Sequence, residues 1–226
     1  MQHTKFKSAH APFPAMAFNL AALALILLMA GLGIAYWLNG FASTRTQITS
    51  SVYAAPIVTK TLANTNMQIP QIWLNILTQS TQKDVQAVDL TLKISVADQE
   101  QSIPINLRIS EASQAEPSAY LLDSVYVLRF SKTQIGGFKG LVGKPLKAQD
   151  GYESETVWYE PISDNPFVAK CIDFEGSKSA LNCLRTIRLN SQLSATYQFA
   201  QSELEYWRQL DGAIIPLMRQ IGISLE

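Results

Sequence analysis

The chain has 226 residues with 18 basic and 18 acidic side chains, and it is 47% hydrophobic but only 16% charged. Its formal net charge is +0 at pH 7 and no block of lysine or arginine interrupts it, so a nucleic-acid partner has no electrostatic footprint to bind. Both histidines, His3 and His10, stand near the N-terminus, which excludes a Ser-His-Asp or Cys-His nucleophile from the rest of the chain and removes the commonest zinc ligand there.

The first element is an uncharged apolar run from Leu20 to Leu38, LAALALILLMAGLGIAYWL. As a helix it is about 28 Å long, enough to cross the hydrocarbon core of a bilayer. Phe13 and Phe18 precede it and Tyr36, Trp37 and Phe41 close it, where amphipathic rings favour the headgroup level. Lys5 and Lys7 lie before the run with no acid, and only Arg45 follows before Lys60; that bias places the N-terminus in the cytoplasm. The predicted organisation is a cytoplasmic tail at 1–14, a transmembrane helix at 15–41, a tether at 42–66 and a periplasmic α+β domain at 67–226, with the lipid bilayer as the first partner. A cleaved signal peptide shares this polarity, and Gly40-Phe41-Ala42 is a tolerable cleavage site, but the run exceeds the usual signal core. Gly31 and Ala35 form a small-xxx-small pair through which two copies can pack as a homodimer, although small residues are common in membrane helices regardless.

The tether is rich in Ser, Thr, Gln, Asn and Ala with little apolar periodicity. Ile69, Ile72, Trp73, Ile76 and Leu77 then recur at spacings of three and four, which suits a short amphipathic helix after Pro70, with a strand as the alternative. Strand signals follow. Val88, Leu90, Leu92, Ile94 and Val96 alternate with polar residues, and Ile103, Ile105, Leu107 and Ile109 repeat the pattern after a polar turn. The two form a hairpin whose second strand sits at an edge or begins its pairing late, because Pro104 has no N–H to donate. Further strands are expected at Ser124 to Phe130, Thr156 to Tyr159, Phe167 to Phe174, Leu181 to Leu189 and Leu193 to Phe199. No crossover helix separates the later ones, so the sheet is predicted to be mostly antiparallel.

The chain then changes period. Ser202 and Glu205 have capping-box spacing, and Leu204, Trp207, Leu210, Ile214, Leu217, Met218 and Ile221 keep one helical face apolar. Pro216 is expected to kink or divide this helix. The stripe covers the sheet or, through Trp207, Leu210, Ile214 and Met218, meets a partner. The fold class is therefore α+β: an N-terminal transmembrane helix, then a mostly antiparallel sheet covered by a C-terminal amphipathic helix.

Cys171 and Cys183 lie at equal distances from Ser177, so a hairpin folded about that residue sets them opposite each other at disulfide range. Outside the cytoplasm oxidation is allowed, and a structural disulfide is the favoured reading over two buried thiols or a redox pair. Lys139, Lys144 and Lys147, among Gly136, Gly137, Gly140 and Gly143, mark a loop able to cradle an anion, though it lacks Walker A spacing and reads equally as a solvated surface loop. Ser80-Thr81-Gln82-Lys83 and Ser163-Asp164-Asn165 imitate penicillin-binding motifs, but no KTG follows. Glu153, Glu155 and Glu160 beside Tyr152, Trp158 and Tyr159 resemble a glycosidase pair only as far as any half-exposed strand does.

The segments Phe167 to Cys171, Cys183 to Arg185, Leu193 to Phe199 and Trp207 to Asp211, after Gly140 to Gly143 and Gly151 to Glu155, resemble a group of uncharacterised single-pass membrane proteins of alphaproteobacteria. That resemblance implies a bacterial inner-membrane location and transfers no activity. With no metal or cofactor motif, the sequence points to a non-enzymatic, membrane-tethered periplasmic domain that binds another envelope protein. An envelope hydrolase built on carboxylates or a Ser-Lys pair is the alternative.

Overall fold

The computed structural model describes residue 27 and residues 29–31, 55–75, 82–96, 102–173 and 182–225. The chain divides into two units, Met1–Ser51 and Val52–Glu226. In the first, Leu27 and Met29 to Gly31 are helical and exposed, and the rest of the expected transmembrane span at 15–41, with Ala35 and the alternative cleavage site, lies outside the described residues. Among the described residues no helix is long and apolar enough to cross a membrane.

The second unit is an α+β domain. Seven strands form one sheet in the order β3-β4-β9-β8-β7-β6-β5, and every neighbouring pair is antiparallel. The strands are β3 (Ala87–Ser95), β4 (Ser102–Glu111), β5 (Val142–Pro145), β6 (Glu155–Tyr159), β7 (Val168–Ile172), β8 (Asn182–Arg188) and β9 (Leu193–Ala200). Period-two alternation does its expected work in the long hairpin: Val88, Leu90, Leu92 and Ile94 of β3 and Ile103, Ile105, Leu107 and Ile109 of β4 are all buried. On the opposite face Asp89 pairs with Arg108 at 3.1 Å in solvent. β4 is an interior strand, not an edge, but its ladder with β9 starts only at Asn106, past the residue that cannot donate.

A separate hairpin joins β1 (Ile57–Leu62) to β2 (Thr65–Pro70). It turns through Ala63 and Asn64, both at positive φ (47° and 63°), as a tight turn whose twist matches its strands requires. The expected tether therefore yields to ordered structure at Ile57, where Lys60, Leu62, Met67 and Ile69 turn into the domain. The helix expected after Pro70 is, among the described residues, one 3-10 turn, Gln71–Trp73; Ile69 belongs to β2, and Ile76 and Leu77 lie outside the described residues.

Two helices cover the sheet. The first, α1, joins Ser118–Leu121, a π-helical turn Leu122–Tyr126 and Val127–Arg129. It replaces the strand expected at Ser124 to Phe130, because Leu122 and Tyr126, one turn apart, are buried with Leu146, Val157 and Val168 in a small second core. The second, α2 (Trp207–Gln220), follows a 3-10 segment, Gln201–Tyr206, and makes no side-chain capping bond at its start. Pro216 sits inside α2 without dividing it. The helix ends where Gly222 takes φ +96°, its N–H reaching Arg219 and that of Ile223 reaching Met218, an αL termination that favours glycine. Trp207, Leu210, Ile214, Leu217 and Met218 join the β1–β2, β3, β4 and β9 side chains in the main core.

Candidate functional site

Alternation along β8 places Cys183, Arg185 and Ile187 on one face, the face of the main core, so a guanidinium occupies an inward position. Arg185 lies opposite Tyr197 of β9, and Asp211, one residue after the buried Leu210, descends from α2 to meet both. Arg185 Nε donates to Asp211 Oδ1 and Oδ2 at 3.1 and 3.2 Å, and Nη2 donates to Oδ2 at 2.6 Å. The Tyr197 hydroxyl donates to Asp211 Oδ1 at 2.6 Å, and Arg185 Nη1 donates to the Val168 carbonyl at 3.2 Å. The guanidinium also lies 4.4 Å from the centre of the Phe167 ring, which itself packs on Trp207 at 5.3 Å.

Electrostatics follow from burial. The Arg185 side chain is 7% exposed and that of Asp211 30%. Burial opposes the charge on Arg185, yet its hydrogen bonds and attraction to Asp211 outweigh that cost and raise its pKa above the ordinary value. Burial, then the Asp211 charge, pushes the Tyr197 phenol well above its usual value, so it serves as a fixed donor. With its oxygens engaged by the guanidinium and the phenol, Asp211 holds α2 on β8 and shapes what lies beside the trio.

Beside it is a cleft of about 270 Å³. β8 pairs with β7 only as far as Leu184; from there to Arg188 it is laddered to β9 alone, and the cleft opens along the edge that β7 leaves free. Arg185, Thr186 and Arg188 line it from β8, Asp211 and Ile215 from α2, and Asn165 from the β6–β7 loop. The N-terminus of α1 closes one end, where the Ser118 hydroxyl accepts from the Thr186 N–H at 2.9 Å. Arg188 holds the rim, bonded to the Ala112 carbonyl at 2.9 Å and to Glu116 at 3.3 Å. A second cleft of about 320 Å³ has Trp158, Thr156 and Cys171 in its wall, with Ser154 at φ +60°. The indole N–H of Trp158 is buried there without an acceptor.

The sequence-predicted residues divide clearly. Cys171 and Cys183 are bonded as a disulfide across β7 and β8, and they are direct partners in the ladder. The apolar stripe of α2 takes the first of its two readings and covers the sheet: Trp207, Leu210, Ile214 and Met218, which the alternative offers to a partner, are all buried in the domain's own core. The three lysines of the glycine-rich segment do not converge through their hydrogen bonds. Lys144 lies in β5, and the ammonium groups of Lys144 and Lys147 are directed to the Thr133 and Leu128 carbonyls, both at 3.3 Å, while Lys139 contributes its carbonyl to the indole N–H of Trp207 at 3.1 Å. Ser80 lies outside the described residues. Ser163 accepts from the Asn165 N–H at 3.3 Å within a local turn, and Glu155 pairs with Lys170 at 2.9 Å. The Arg185–Asp211–Tyr197 trio was missed, although one signal pointed to it: a lone arginine in the apolar register of a strand demands a buried carboxylate somewhere.

No family model matches the chain, and no curated protein matches it. A solved structure described as that of Smlt3025, an immunity protein of the Stenotrophomonas maltophilia type IV secretion system, shows a partial likeness. It has 14% sequence identity and a TM-score of 0.48, over 73% of this chain and 92% of that one.

Proposed function

We propose that this chain is a membrane-tethered, extracytoplasmic domain that recognises another protein of the bacterial envelope and does no chemistry of its own. Three large apolar side chains on α1 carry the reading: Tyr120, Val127 and Leu128 are 62%, 50% and 69% exposed, while Leu122 and Tyr126 of the same helical run are buried beneath them. Exposed apolar clusters of this kind mark contact surfaces. With the α2 stripe consumed by the core, α1 takes over the role of partner face. The disulfide supports the compartment, since such bonds persist in oxidising surroundings such as the periplasm, and the apolar run at Leu20 to Leu38 supplies the tether to the inner membrane.

The test is photo-crosslinking in living cells with the full chain, from probes at Tyr120 and Leu128 and from a control at Thr91 on the wet face of the sheet. A discrete adduct from the α1 probes and none from the control is the expected result. A reporter fused after Glu226 should be active only if it requires the periplasm. Activity of a cytoplasm-dependent reporter at that site, or identical adducts from all three probes, overturns the proposal.

A further inference from the structure

The exposed face of α1 has a pattern of charge as well as of apolar contact. Its π-helical turn, Leu122–Tyr126, is wider than an α-turn and brings every fourth side chain to the same side. Tyr120, Ser124 and Leu128 thus stand in one outward line with Asp123 and Val127 along its flank, and all five are exposed. The Ser124 hydroxyl turns back to donate to the Tyr120 carbonyl at 2.8 Å. Asp123 is therefore the polar group offered between the apolar ends, and it makes no ion pair among the described residues.

Beyond Leu128 the sign changes. From Ser124 to Gln149 the chain has five basic residues, Arg129, Lys132, Lys139, Lys144 and Lys147, and no acid. Bridges from Phe130 to Leu146 and from Ile135 to Gly143 lay the segment after α1 along β5, so four of these cations border the exit of the helix. The Lys147 ammonium lies 3.3 Å from the Leu128 carbonyl and that of Lys144 3.3 Å from the Thr133 carbonyl. Asp150 holds Arg129 at 3.4 Å, whereas Lys132, Lys144 and Lys147 have no counter-ion among the described residues. An ammonium has three hydrogens to donate, so each of the three still has donors for a carboxylate.

This arrangement selects among occupants. An anionic bilayer attracts the lysines but repels Asp123 from the middle of the face that it would bury. A second copy meets a similar obstacle. Two α1 faces paired antiparallel, with Tyr120 over Leu128, share a two-fold axis near Ser124 that brings Asp123 beside its own copy, and a parallel pairing brings the two lysine-bordered ends together. A different polypeptide can match both signs. We propose that the α1 face takes a bipolar amphipathic segment of the partner protein: apolar side chains over Tyr120, Val127 and Leu128, a lysine or arginine against Asp123, and a carboxylate against Lys147 and Lys132. The inference rests on the envelope-protein reading above and gives that partner's surface its chemistry.

The experiment keeps the full chain in living cells and moves the charges. Asp123→Lys and Asp123→Asn are read with the photo-crosslinking probe at Leu128, Lys147→Glu and Lys132→Glu with the probe at Tyr120. Lys93→Glu, exposed on the wet face of β3, is the control with both. Yields are taken at low expression, where they track occupancy, and protease digestion of each adduct tells protein from lipid. One protein adduct should fall about fivefold or more with Asp123→Lys and with each lysine reversal, since attraction is replaced by repulsion. Asp123→Asn should lose less, and Lys93→Glu nothing. The urea midpoint of each purified variant checks the fold, and Lys132→Glu, at an exposed position, carries the cationic arm if Lys147→Glu lowers it. A yield that rises with Asp123→Lys, or that falls with one sign alone, overturns the proposal; a rise assigns the face to a uniformly acidic protein or, if the adduct is lipid, to the bilayer. An adduct between two copies of this chain overturns it as well. A protein adduct indifferent to every reversal removes this inference and leaves the binding-domain reading standing, whereas no protein adduct from the parent chain removes both.

Discussion

Replacing Asp211 with alanine removes the acceptor for Arg185 Nε and Nη2 and for the Tyr197 hydroxyl at once. The cost is set by what stays behind. Arg185 remains buried with a charge and no counter-ion, a situation that typically costs about 3–5 kcal/mol. Asp211 is 30% exposed, so water can enter the vacated side and solvate part of that charge. The expected loss is therefore at the lower end, about 3 kcal/mol. For a domain of this size that corresponds to a fall in Tm of about 6–12 °C. Urea unfolding followed by tryptophan fluorescence reports it directly, because Trp207 packs on the Phe167 ring that stacks with the guanidinium. A double variant, Arg185→Met with Asp211→Leu, removes the orphan charge but still leaves the Tyr197 hydroxyl without its acceptor, so it should recover part of the loss and stay about 1–2 kcal/mol below the parent. A loss below about 1 kcal/mol for Asp211→Ala, or a double variant no better than the single one, would refute the reasoning.

Replacing both cysteines with alanine should cost about 3 kcal/mol in the chain-entropy account of a loop this long; dithiothreitol should lower the urea midpoint of the parent comparably and leave the variant unmoved. Gly143→Ala puts a Cβ 2.8 Å from ring carbons of the buried Trp158, and overpacking against an immobile ring should destabilise by about 1–3 kcal/mol, read as a lower urea midpoint with an unchanged slope. Burial, helped by Glu155 and Tyr152, pushes the Tyr126 phenol up to about 12. A raised phenol favours the folded state fully below the unfolded pKa near 10 and ceases to do so as pH climbs through 12. Unfolding midpoints measured across that window should fall, and Tyr126→Phe should flatten the fall; an equally steep decline in the variant assigns the effect elsewhere.

How legible this fold was depended on how local its causes are. The β3–β4 hairpin, the pairing of Cys171 with Cys183 and the apolar stripe of α2 all arise from spacings within one or two adjacent segments, and all three stand in the structure. Val125, Tyr126 and Val127 have the β-propensity of a strand, while the contacts that bury Tyr126, with Leu122 a turn before it, come from Leu146 just past β5 and from Val157 and Val168 on β6 and β7. The β1–β2 hairpin hid behind a turn without glycine and a lysine, Lys60, in an inward position where its ammonium reaches the Gln82 carbonyl at 2.6 Å. β5 resembled a glycine-rich loop because the glycine that looks like flexibility, Gly143, is where the strand lies flat on Trp158. The candidate site was the least legible. Its ion pair links residues 26 apart in sequence, and nothing local to either one announces the other.

The seam between β7 and β8 divides the sheet unequally. Among the described residues, three pairs, Lys170 to Ile172 against Asn182 to Leu184, hold these strands together, against seven between β8 and β9 and five between β6 and β7. Two leaves, β3-β4-β9-β8 and β7-β6-β5, thus meet along a short ladder in which the one covalent link is the Cys171–Cys183 bond. The bond makes the leaves mechanically one object: pulled apart, they can part first only at the unladdered end, which is where the cleft opens. The cysteines thus fasten the two leaves at one end of the seam, and the cleft lies at the other.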